Sequence, residues 1–260
     1  MLRNLLELLG IYKLYEKWLF NQIKNGSIPS HIAFILDGNR RWARRQGLPP
    51  WLGHEKGAAK VKEVLRWCLD LGIKTVTLYV LSTENLKRKP EELEKLFNIL
   101  EENLMEILED DILDEYEIRF KTIGRPDLLP SRIRSLLKKL EEKTMHYNKF
   151  FLNAAIAYGG RTEIVEAAKR LASDVKEGKV RLEDIDEQVF EKYLSTSHLP
   201  NPSPDLIVRT SGEERLSNFL LRQAAYSELC FLEVYWPDFR KIDLWRAVRI
   251  YQKRQRRFGQ

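Results

Sequence analysis

Residues 31–47, HIAFILDGNRRWARRQG, place a carboxylate and four arginines directly after an apolar run. Residues 31–36 read as a buried strand, and Asp37, Gly38 and Asn39 follow it at once. Phosphate oxygens are bound by N–H groups at helix starts and by arginine forks, and glycine lets the backbone approach them closely. The segment therefore predicts a phosphate or diphosphate site at a strand-to-helix turn.

Strand-like runs alternate with helical ones along the rest of the chain. The strand candidates are 31–36, 75–80, 117–124, 150–158, 205–210 and 229–236, and the helical candidates are 57–71, 90–109, 131–147, 162–177, 186–195 and 217–227. The strands are near-continuous apolar runs, as expected when both faces of a sheet are covered. This pattern predicts a single α/β domain on a mostly parallel six-stranded sheet flanked by helices.

Ligands of open α/β sheets bind outside the carboxyl ends of the strands. The segments expected there are rich in arginine, glycine and hydroxyl groups: 37–42, 81–89, 124–126, 159–161 and 209–218. Two carboxylates stand out, Asp37 and, at the entry to the last strand, Glu228. They suit a hard divalent cation that also touches phosphate, as Mg²⁺ usually does. We therefore expect a metal-assisted diphosphate site at one edge of the sheet.

Other classes of site lack their sequence signals. The chain has no GxxxxGK[ST], no GxGxxG after a strand, no HExxH and no paired CxxC, which argues against a P-loop NTPase, a Rossmann dehydrogenase or a zinc site. Cys68 and Cys230 lie in apolar runs and read as buried, reduced thiols of a cytosolic protein. A net charge of +6 fits an anionic partner or mere solubility. RNA binding would want more aromatics among the arginines than Trp42 and Trp51, so no nucleic acid is expected.

Residues 1–28 read as an amphipathic helix, because apolar residues recur at spacings of three and four through Leu5, Tyr12, Leu19 and Ile23. Interrupting charges argue against a signal peptide and against a spanning helix. Two interpretations stay open: the helix packs on the body of the fold or on a partner chain, or it touches a membrane surface. The expected location is cytoplasmic, with or without membrane-surface contact.

Seven segments resemble the cis-prenyltransferase family, the undecaprenyl and dehydrodolichyl diphosphate synthases. They are HIAFILDGNRRWA, GHEKGA, LSTEN, AYGGR, IVRTSGEERLSNFLL, VYWPDF and the terminal RRFG, in the family's order and spacing. The resemblance covers residues 29–260, which would form the catalytic domain, and Arg40 and the TSGE run are more like archaeal and eukaryotic members. It implies a usually dimeric α/β enzyme with a hydrophobic tunnel. Residues 150–158 and 90–109 are plausible tunnel walls.

The implied reaction is the sequential condensation of isopentenyl diphosphate onto an allylic starter, farnesyl or geranylgeranyl diphosphate, with Mg²⁺. The product would be a long-chain cis-polyprenyl diphosphate, a lipid-carrier precursor. Arginines and Mg²⁺ would stabilise the charge that develops on the leaving diphosphate. The final proton would go to the released diphosphate, to His54 or to Asp37. Starter and product length stay open, as do two alternatives: a short-chain member, or a non-catalytic partner subunit, which would lack the Asp-Gly-Asn turn.

The resemblance also implies roles for individual residues. Asp37 and Asn85 would be catalytic, and Asp37 and Glu228 would hold the metal. The allylic diphosphate would be gripped by Gly38, Asn39, Arg40, Arg41 and His54. Other substrate-binding residues would be Trp42, Ser82, Thr83, Glu84 and Arg88, and isopentenyl diphosphate would bind Arg209, Arg215 and Ser217. Arg257 and Gly259 would form a terminal arm that reaches across a homodimer.

Three positions depart from the family pattern. Pro50 stands where many members have a further diphosphate-binding arginine, which Arg44 or Arg45 could replace. Leu86 and Arg222 stand where bacterial members have tryptophan, which leaves the shape of the allylic pocket open. One segment, DDILD at 110–114, matches a motif of the all-helical trans-prenyl synthases. It occurs once, in a chain with six strand candidates, and we interpret it as the solvated end of a helix.

Overall fold

The computed structural model describes residues 11–254. The strands are β1 (His31–Ile35), β2 (Thr75–Ser82), β3 (Ile118–Gly124), β4 (Phe150–Tyr158), β5 (Leu206–Arg209) and β6 (Glu228–Phe231). The α-helices are α1 (Ile11–Ile23), α2 (Asn39–Arg45), α3 (Pro50–Asp70), α4 (Pro90–Glu109), α5 (Ile112–Glu115), α6 (Ser131–Thr144), α7 (Gly160–Lys176), α8 (Glu187–Glu191) and α9 (Lys241–Lys253). A 3₁₀ turn, Thr83–Lys87, follows β2.

The six strands form one sheet in the order β3-β4-β2-β1-β5-β6, and every pairing is parallel. The predicted α/β domain with a mostly parallel sheet is therefore confirmed. All strands end at one edge, here called the carboxyl edge, and begin at the opposite one, the amino edge. The chain leaves β1 towards β2 and later returns on its other side as β5, so a crevice is expected at the carboxyl end of β1.

Both faces of the central strands are covered. Ile32 and Phe34 of β1 belong to the larger hydrophobic cluster, whereas Ala33 and Ile35 belong to a smaller cluster on the other face. All nine residues of β4 are buried. Continuous apolar strands follow from this arrangement, because nearly all residues of the central strands are buried; Val80 and Ser82, at the carboxyl end of β2, are the exceptions.

Two predicted elements differ most from the structure, and the helix predicted over 186–195 is present only over Glu187–Glu191. The segment 217–227 is not an α-helix: it contains only a 3₁₀ turn, Gln223–Tyr226. Positive φ angles at Ser217, Asn218 and Leu220 are incompatible with a right-handed helix. The last strand ends at Phe231, because the chain then turns away and the carbonyl of Leu232 accepts from the amide of Gly212.

The described part of the N-terminal helix packs on the body of the fold. Leu19 and Ile23 of α1 are fully buried, and the Phe20 ring lies 5.6 Å from that of Trp245 in α9. On the outer side, the Arg249 guanidinium lies over the Trp18 ring at 5.4 Å. No helix within residues 11–254 is long and apolar enough to cross a membrane.

Candidate active site

A cavity of about 850 Å³ starts at the carboxyl edge and runs between the sheet and the helices α3 and α4. Its walls have a polar half and an apolar half. The polar half includes Asp37, Gly38, Asn39, Arg40, Arg41, Arg44, His54, Ser82, Glu84, Asn85, Arg88, Arg209, Ser217 and Asn218. The apolar half includes Val61, Leu78, Leu81, Leu96, Ile99, Leu100, Leu104, Ile107, Phe120, Leu152, Ala154 and Ile156. The segments predicted as tunnel walls, 150–158 and 90–109, both contribute to it.

The turn after β1 is shaped by Gly38. Its φ is 102°, in the left-handed region, and a Cβ there would lie 2.7 Å from the Tyr235 ring, so glycine is required. The Gly38 amide donates to Asp37 Oδ1 at 2.6 Å. This holds the Asp37 carboxylate at the mouth of the cavity.

Asp37 is held by two cations. Arg209, buried at the end of β5, donates from Nη2 to Asp37 Oδ2 at 2.8 Å, and Arg41 Nη2 lies 3.3 Å from Oδ1. Burial by itself raises the pKa of Asp37, but the hydrogen bond and charge of Arg209, with help from Ser211 and Arg41, outweigh it and lower the pKa. The carboxylate is therefore ionised at neutral pH.

Arg209 joins two strand ends. While Nη2 holds Asp37, Nη1 donates to Ser217 Oγ at 2.6 Å and to the Arg215 carbonyl. Its Nε is buried without a partner among the described residues. One guanidinium thus links the carboxylate after β1 to the loop after β5 and keeps a donor free.

His54 enters the cavity because α3 packs closely on α2. A Cβ at Gly53 or Gly57 would overlap Asn39, so only glycine permits this approach. Burial, followed by the charge of Arg88, lowers the pKa of His54 to about 4, with Glu92 opposing. The imidazole is therefore neutral at physiological pH.

Several polar atoms around this cavity are buried and have no hydrogen-bond partner within the described chain: Asn39 Oδ1, Arg40 Nε, His54 Nε2 and Arg209 Nε. Buried polar groups are normally paired, so a cluster of unpaired ones needs an explanation. All four residues line the polar half of the cavity. A bound anion would satisfy the two arginine donors, whereas Asn39 Oδ1, an acceptor, would need water or a cation that accompanies the anion.

The turn after β2 is a capping box. The Ser82 amide donates to Asn85 Oδ1 at 3.0 Å, and the Asn85 amide donates to Ser82 Oγ at 3.2 Å. Arg88 follows at the end of the turn and pairs with Glu92 at 3.0 Å. The LSTEN segment is thereby folded so that Ser82, Glu84, Asn85 and Arg88 line the cavity.

Most of the predicted site residues within the described chain meet at this cavity. Three of the predicted residues, Trp42, Thr83 and Arg215, do not contribute to its walls. The Arg215 side chain is exposed, and its Nη1 lies 2.5 Å from Glu213 Oε2. Arg257 and Gly259 lie outside the described residues. Sequence reasoning missed Asn218, which lines the cavity. The expected helix over 217–227 hid it, although it stands inside the IVRTSGEERLSNFLL motif.

The prediction that Glu228 shares an edge with Asp37 is wrong. Glu228 opens β6 and pairs with Leu206, which pairs with Ile32, whereas Asp37 lies beyond the last residue of β1. From Ile32 to the end of β1 at Ile35 the strand rises three residues, about 10 Å at roughly 3.3 Å each, and Asp37 lies beyond that end. Glu228 instead accepts from Arg254 at 3.0 Å. Within one chain, these two carboxylates therefore cannot hold one metal ion.

The acidic run 110–114 is engaged in ion pairs. Asp110 lies 2.8 Å from Lys62, and Asp114 lies 2.9 Å from Lys143. Within residues 11–254, no three acidic, histidine or cysteine side chains are grouped so as to hold a metal ion by themselves.

The sequence model of the family described as "Putative undecaprenyl diphosphate synthase" matches residues 35–259. The chain belongs to this family, the cis-prenyltransferases. It is 53% identical to a tritrans,polycis-undecaprenyl-diphosphate synthase (geranylgeranyl-diphosphate specific) of Methanopyrus kandleri, over 96% of this chain and 91% of that one. The protein of the same name from Methanocaldococcus jannaschii is also 53% identical, over 96% of this chain and 89% of that one.

Solved structures give the same result. Lavandulyl diphosphate synthase from Lavandula x intermedia, in complex with dimethylallyl diphosphate, matches with a TM-score of 0.87 and 37% identity, over 90% of this chain and 99% of that one. A probable undecaprenyl diphosphate synthase from Campylobacter jejuni matches with a TM-score of 0.73 and 32% identity, over 90% and 100%. The cis-prenyltransferase described here is a prenyl diphosphate synthase, and its substrates are an allylic diphosphate and isopentenyl diphosphate.

Proposed function

We propose that this cis-prenyltransferase adds isopentenyl diphosphate repeatedly to geranylgeranyl diphosphate and makes a long-chain lipid-carrier precursor. The observation that carries the proposal is the two-part cavity, in which unpaired buried polar groups and arginines lead directly into apolar walls. The relatives that are 53% identical are named for geranylgeranyl diphosphate, which supports this starter. The Asp-Gly-Asn turn, present here, argues against a non-catalytic partner subunit.

The two diphosphates would bind in adjacent parts of the polar half. The allylic diphosphate would lie beside Asn39, Arg40 and His54. Arg40 Nε would donate to a phosphate oxygen, and Asn39 Oδ1 would accept from water around the counterion. Isopentenyl diphosphate would contact Arg209 and Ser217. Arginine suits both positions because its planar fork matches phosphate geometry.

Asp37 fits a Mg²⁺ that is shared with a substrate. Mg²⁺ in proteins commonly takes one or two carboxylates and completes its shell with water and substrate phosphates. Asp37 supplies one ionised carboxylate at the cavity mouth. When bound, the ion would neutralise charge on the diphosphate.

We expect EDTA to abolish incorporation of isopentenyl diphosphate and Mg²⁺ to restore it. Full activity in metal-free buffer would contradict this assignment.

The residues fit the chemistry of allylic C–O cleavage. Negative charge grows on the departing diphosphate, and fixed arginines around Asp37 and His54 stabilise it without reorganisation. The proton lost in each condensation can go to the released diphosphate, to His54 or to Asp37. Their lowered pKa values keep Asp37 as a carboxylate and His54 as a neutral imidazole at neutral pH, so each has a lone pair that can accept a proton.

The apolar half of the cavity would hold the tail. Burial of each CH₂ contributes roughly 0.8 kcal/mol, so a five-carbon unit gains on the order of 3–4 kcal/mol. This grip favours retention of the growing chain between condensations. Repeated elongation follows from slow release.

The test is radiolabelled isopentenyl diphosphate with dimethylallyl, geranyl, farnesyl or geranylgeranyl diphosphate, followed by separation of products by length. We expect the highest incorporation with geranylgeranyl diphosphate and products several units longer than the starter. A second candidate is a short-chain synthase, favoured by the similarity to lavandulyl diphosphate synthase. It predicts use of dimethylallyl diphosphate and a single addition.

We further propose a homodimer in which Arg257 and Gly259 complete the partner's isopentenyl site. The described chain ends with Arg254 bound to Glu228 at the amino edge, on the far side of the sheet from Asp37. To test this, Asp37→Ala and Arg257→Ala chains are unfolded and refolded together. Random pairing gives mixed dimers with one intact site, so activity should return to about a quarter of wild type. If Arg257 serves its own chain, the mixture stays inactive.

Membrane-surface contact is also proposed, through the outer face of α1. Leu14 and Trp18 are exposed there, one helical turn apart. A cytoplasmic enzyme with this face could meet its long apolar product at a bilayer. Vesicle sedimentation of wild type and of Leu14→Ser/Trp18→Ser measures the contact.

A further inference from the structure

The loop after β5 contains a cluster of left-handed residues. Ser217, Asn218 and Leu220 have φ angles of 49°, 66° and 44°. Such conformations are costly for residues other than glycine and asparagine, and they persist where the surrounding structure holds them in place. They are concentrated at ligand sites, and Ser217 and Asn218 line the cavity.

The backbone of this loop is clamped on both sides. Phe219 is fully buried, and its ring stacks on Tyr79 of β2 with centroids 4.5 Å apart. The Tyr79 hydroxyl lies 3.3 Å from the Ser217 carbonyl, to which it donates. The amide of Gly160, at the start of α7, donates to the Asn218 carbonyl at 2.7 Å. The left-handed path is thus fixed by β2 and by α7.

The Asn218 side chain connects three strand ends. Its Nδ2 donates to Glu84 Oε1 at 2.9 Å, in the turn after β2. Its Oδ1 accepts from the Arg161 amide at 2.9 Å, at the start of the helix after β4. Asn218 itself follows β5. Asparagine suits the position because it tolerates the left-handed region and carries a donor and an acceptor on one short side chain.

Two of the three strand ends carry groups proposed to act on substrate. Ser217, the preceding residue, bonds to Arg209, which holds Asp37. Glu84 precedes Asn85 in the capping box after β2. The Asn218–Glu84 hydrogen bond is therefore a direct side-chain link between the isopentenyl side of the cavity and the Asn85 turn.

We propose that Asn218 is a positioning residue that holds the Ser217–Arg209 group in register with the Glu84–Asn85 turn. The inference rests on the proposed assignment of the two diphosphates to these groups. A misplaced pair of substrates still binds but reacts slowly, so the loss should fall on kcat more than on KM.

Asn218→Asp tests this by removing one hydrogen bond and adding one negative charge. The introduced carboxylate keeps the size and the acceptor for the Arg161 amide, and a negative charge is favourable at a helix start. Only the donor to Glu84 is lost, and two carboxylates then face each other. With geranylgeranyl and isopentenyl diphosphates, we expect kcat to fall at least roughly tenfold. Adding Glu84→Gln supplies an amide donor in the reverse direction and should restore kcat to within about threefold.

A second variant leaves the left-handed residue untouched. Glu84→Ala removes the same hydrogen bond and should cause a loss similar to that of Asn218→Asp, and the two together should lose no more than either alone. The matched control is Asn201→Asp, which faces Asp205 at the amino edge. This control variant should have a lower melting temperature, because it loses a donor and sets two carboxylates together, and its kcat should be unchanged.

Wild-type kinetics for Asn218→Asp, failure of Glu84→Gln to rescue it, or additive losses would each overturn the proposal. If the wild-type protein itself incorporates no isopentenyl diphosphate, the proposed function fails. If the wild type is active and Asn218→Asp has the same kinetics, only the positioning role of Asn218 is contradicted, and the proposed function stands.

Discussion

His31 is fully buried and His54 is partly buried, and both have pKa values lowered to about 4, chiefly by burial. They lie at opposite edges of the sheet. His31 has a partner at each ring nitrogen: Nδ1 lies 2.9 Å from the Asn201 carbonyl and Nε2 lies 2.8 Å from the Thr77 hydroxyl. A carbonyl only accepts, so Nδ1 carries the proton. His54 Nε2 has no partner within the described chain.

The two edges differ in the same way beyond the histidines. At the amino edge, Asn153 donates to the Thr77 hydroxyl and its carbonyl oxygen contacts His198, so the buried polar groups satisfy one another. At the carboxyl edge, arginine, amide and imidazole atoms around the cavity have no partner in the part of the chain that the structure describes. Burial alone neutralises a histidine, and it is the missing partners that indicate a ligand. The amino edge is therefore assigned to stability and the carboxyl edge to chemistry.

The largest expected effect compares two carboxylates. Asp37→Ala should lower kcat by roughly three orders of magnitude, because charge stabilisation at the leaving group is lost, while the arginines still bind the allylic substrate. Asp205→Ala removes the acceptor for the Ser30 and His31 amides at the amino edge. It should lower the free energy of unfolding by about 1–3 kcal/mol and leave kcat unchanged. Steady-state kinetics and denaturant titration measure both.

A variant Asp37→Ala with normal kcat and only a raised KM would show that this carboxylate does not act in the chemical step. A loss of kcat in Asp205→Ala, measured well below its melting temperature, would contradict the division between the edges.

The next largest effect is expected when each of the two histidines is replaced by glutamine. His54→Gln should lower kcat/KM for the allylic substrate by roughly ten- to a hundredfold with little change in stability, because His54 Nε2 has no hydrogen-bond partner to lose among residues 11–254. His31→Gln should lower the free energy of unfolding by about 1–3 kcal/mol and keep kcat/KM. Equal losses of kcat/KM in the two variants would contradict the assignment of His54 to substrate binding and of His31 to stability.

A bound anion should separate the two pKa values. In the free protein, the unfolded chain binds protons at both histidines between pH 6.5 and about 4, where the folded protein does not. Stability should therefore fall as the pH drops through this window, by about 3 kcal/mol for each histidine. Inorganic pyrophosphate should raise the pKa of His54 by about one unit or more and leave that of His31 unchanged. Imidazole resonances, assigned with the two glutamine variants, report the titrations. Parallel shifts would contradict the placement of the diphosphate.

The smallest effect concerns neighbouring arginines of α2. Both Arg44 and Arg45 are exposed, but only Arg44 lines the cavity. Arg44→Ala should raise KM for the allylic diphosphate severalfold, roughly the contribution of one partly screened charge, and Arg45→Ala should stay within about twofold of wild type. The reverse order would show that Arg45, and not Arg44, takes the place of the arginine that many family members have at the position of Pro50.

Local sequence patterns were enough to predict most of the fold and the part of the site that follows β1. Apolar runs of strand length predicted all six strands, because the central strands are covered on both faces and read the same wherever they lie in space. The Asp-Gly-Asn turn and its arginines could be recognised because chain neighbours hold them: the Gly38 amide binds Asp37, and α2 begins one residue later.

Tertiary structure alone decided where the remaining groups lie. Glu228 stands next to a strand in sequence, but the direction of that strand places it at the amino edge, and direction is a property of the whole sheet. Asn218 reads as part of a helix until Tyr79, Gly160 and Glu84, distant in sequence, clamp it in a left-handed path. The neutral state of His54 likewise depends on burial and on Arg88, brought near by the packing of α3 against α2 and the turn after β2. Long-range contacts set these positions and charges, because the side chains responsible are separated by tens of residues in the chain.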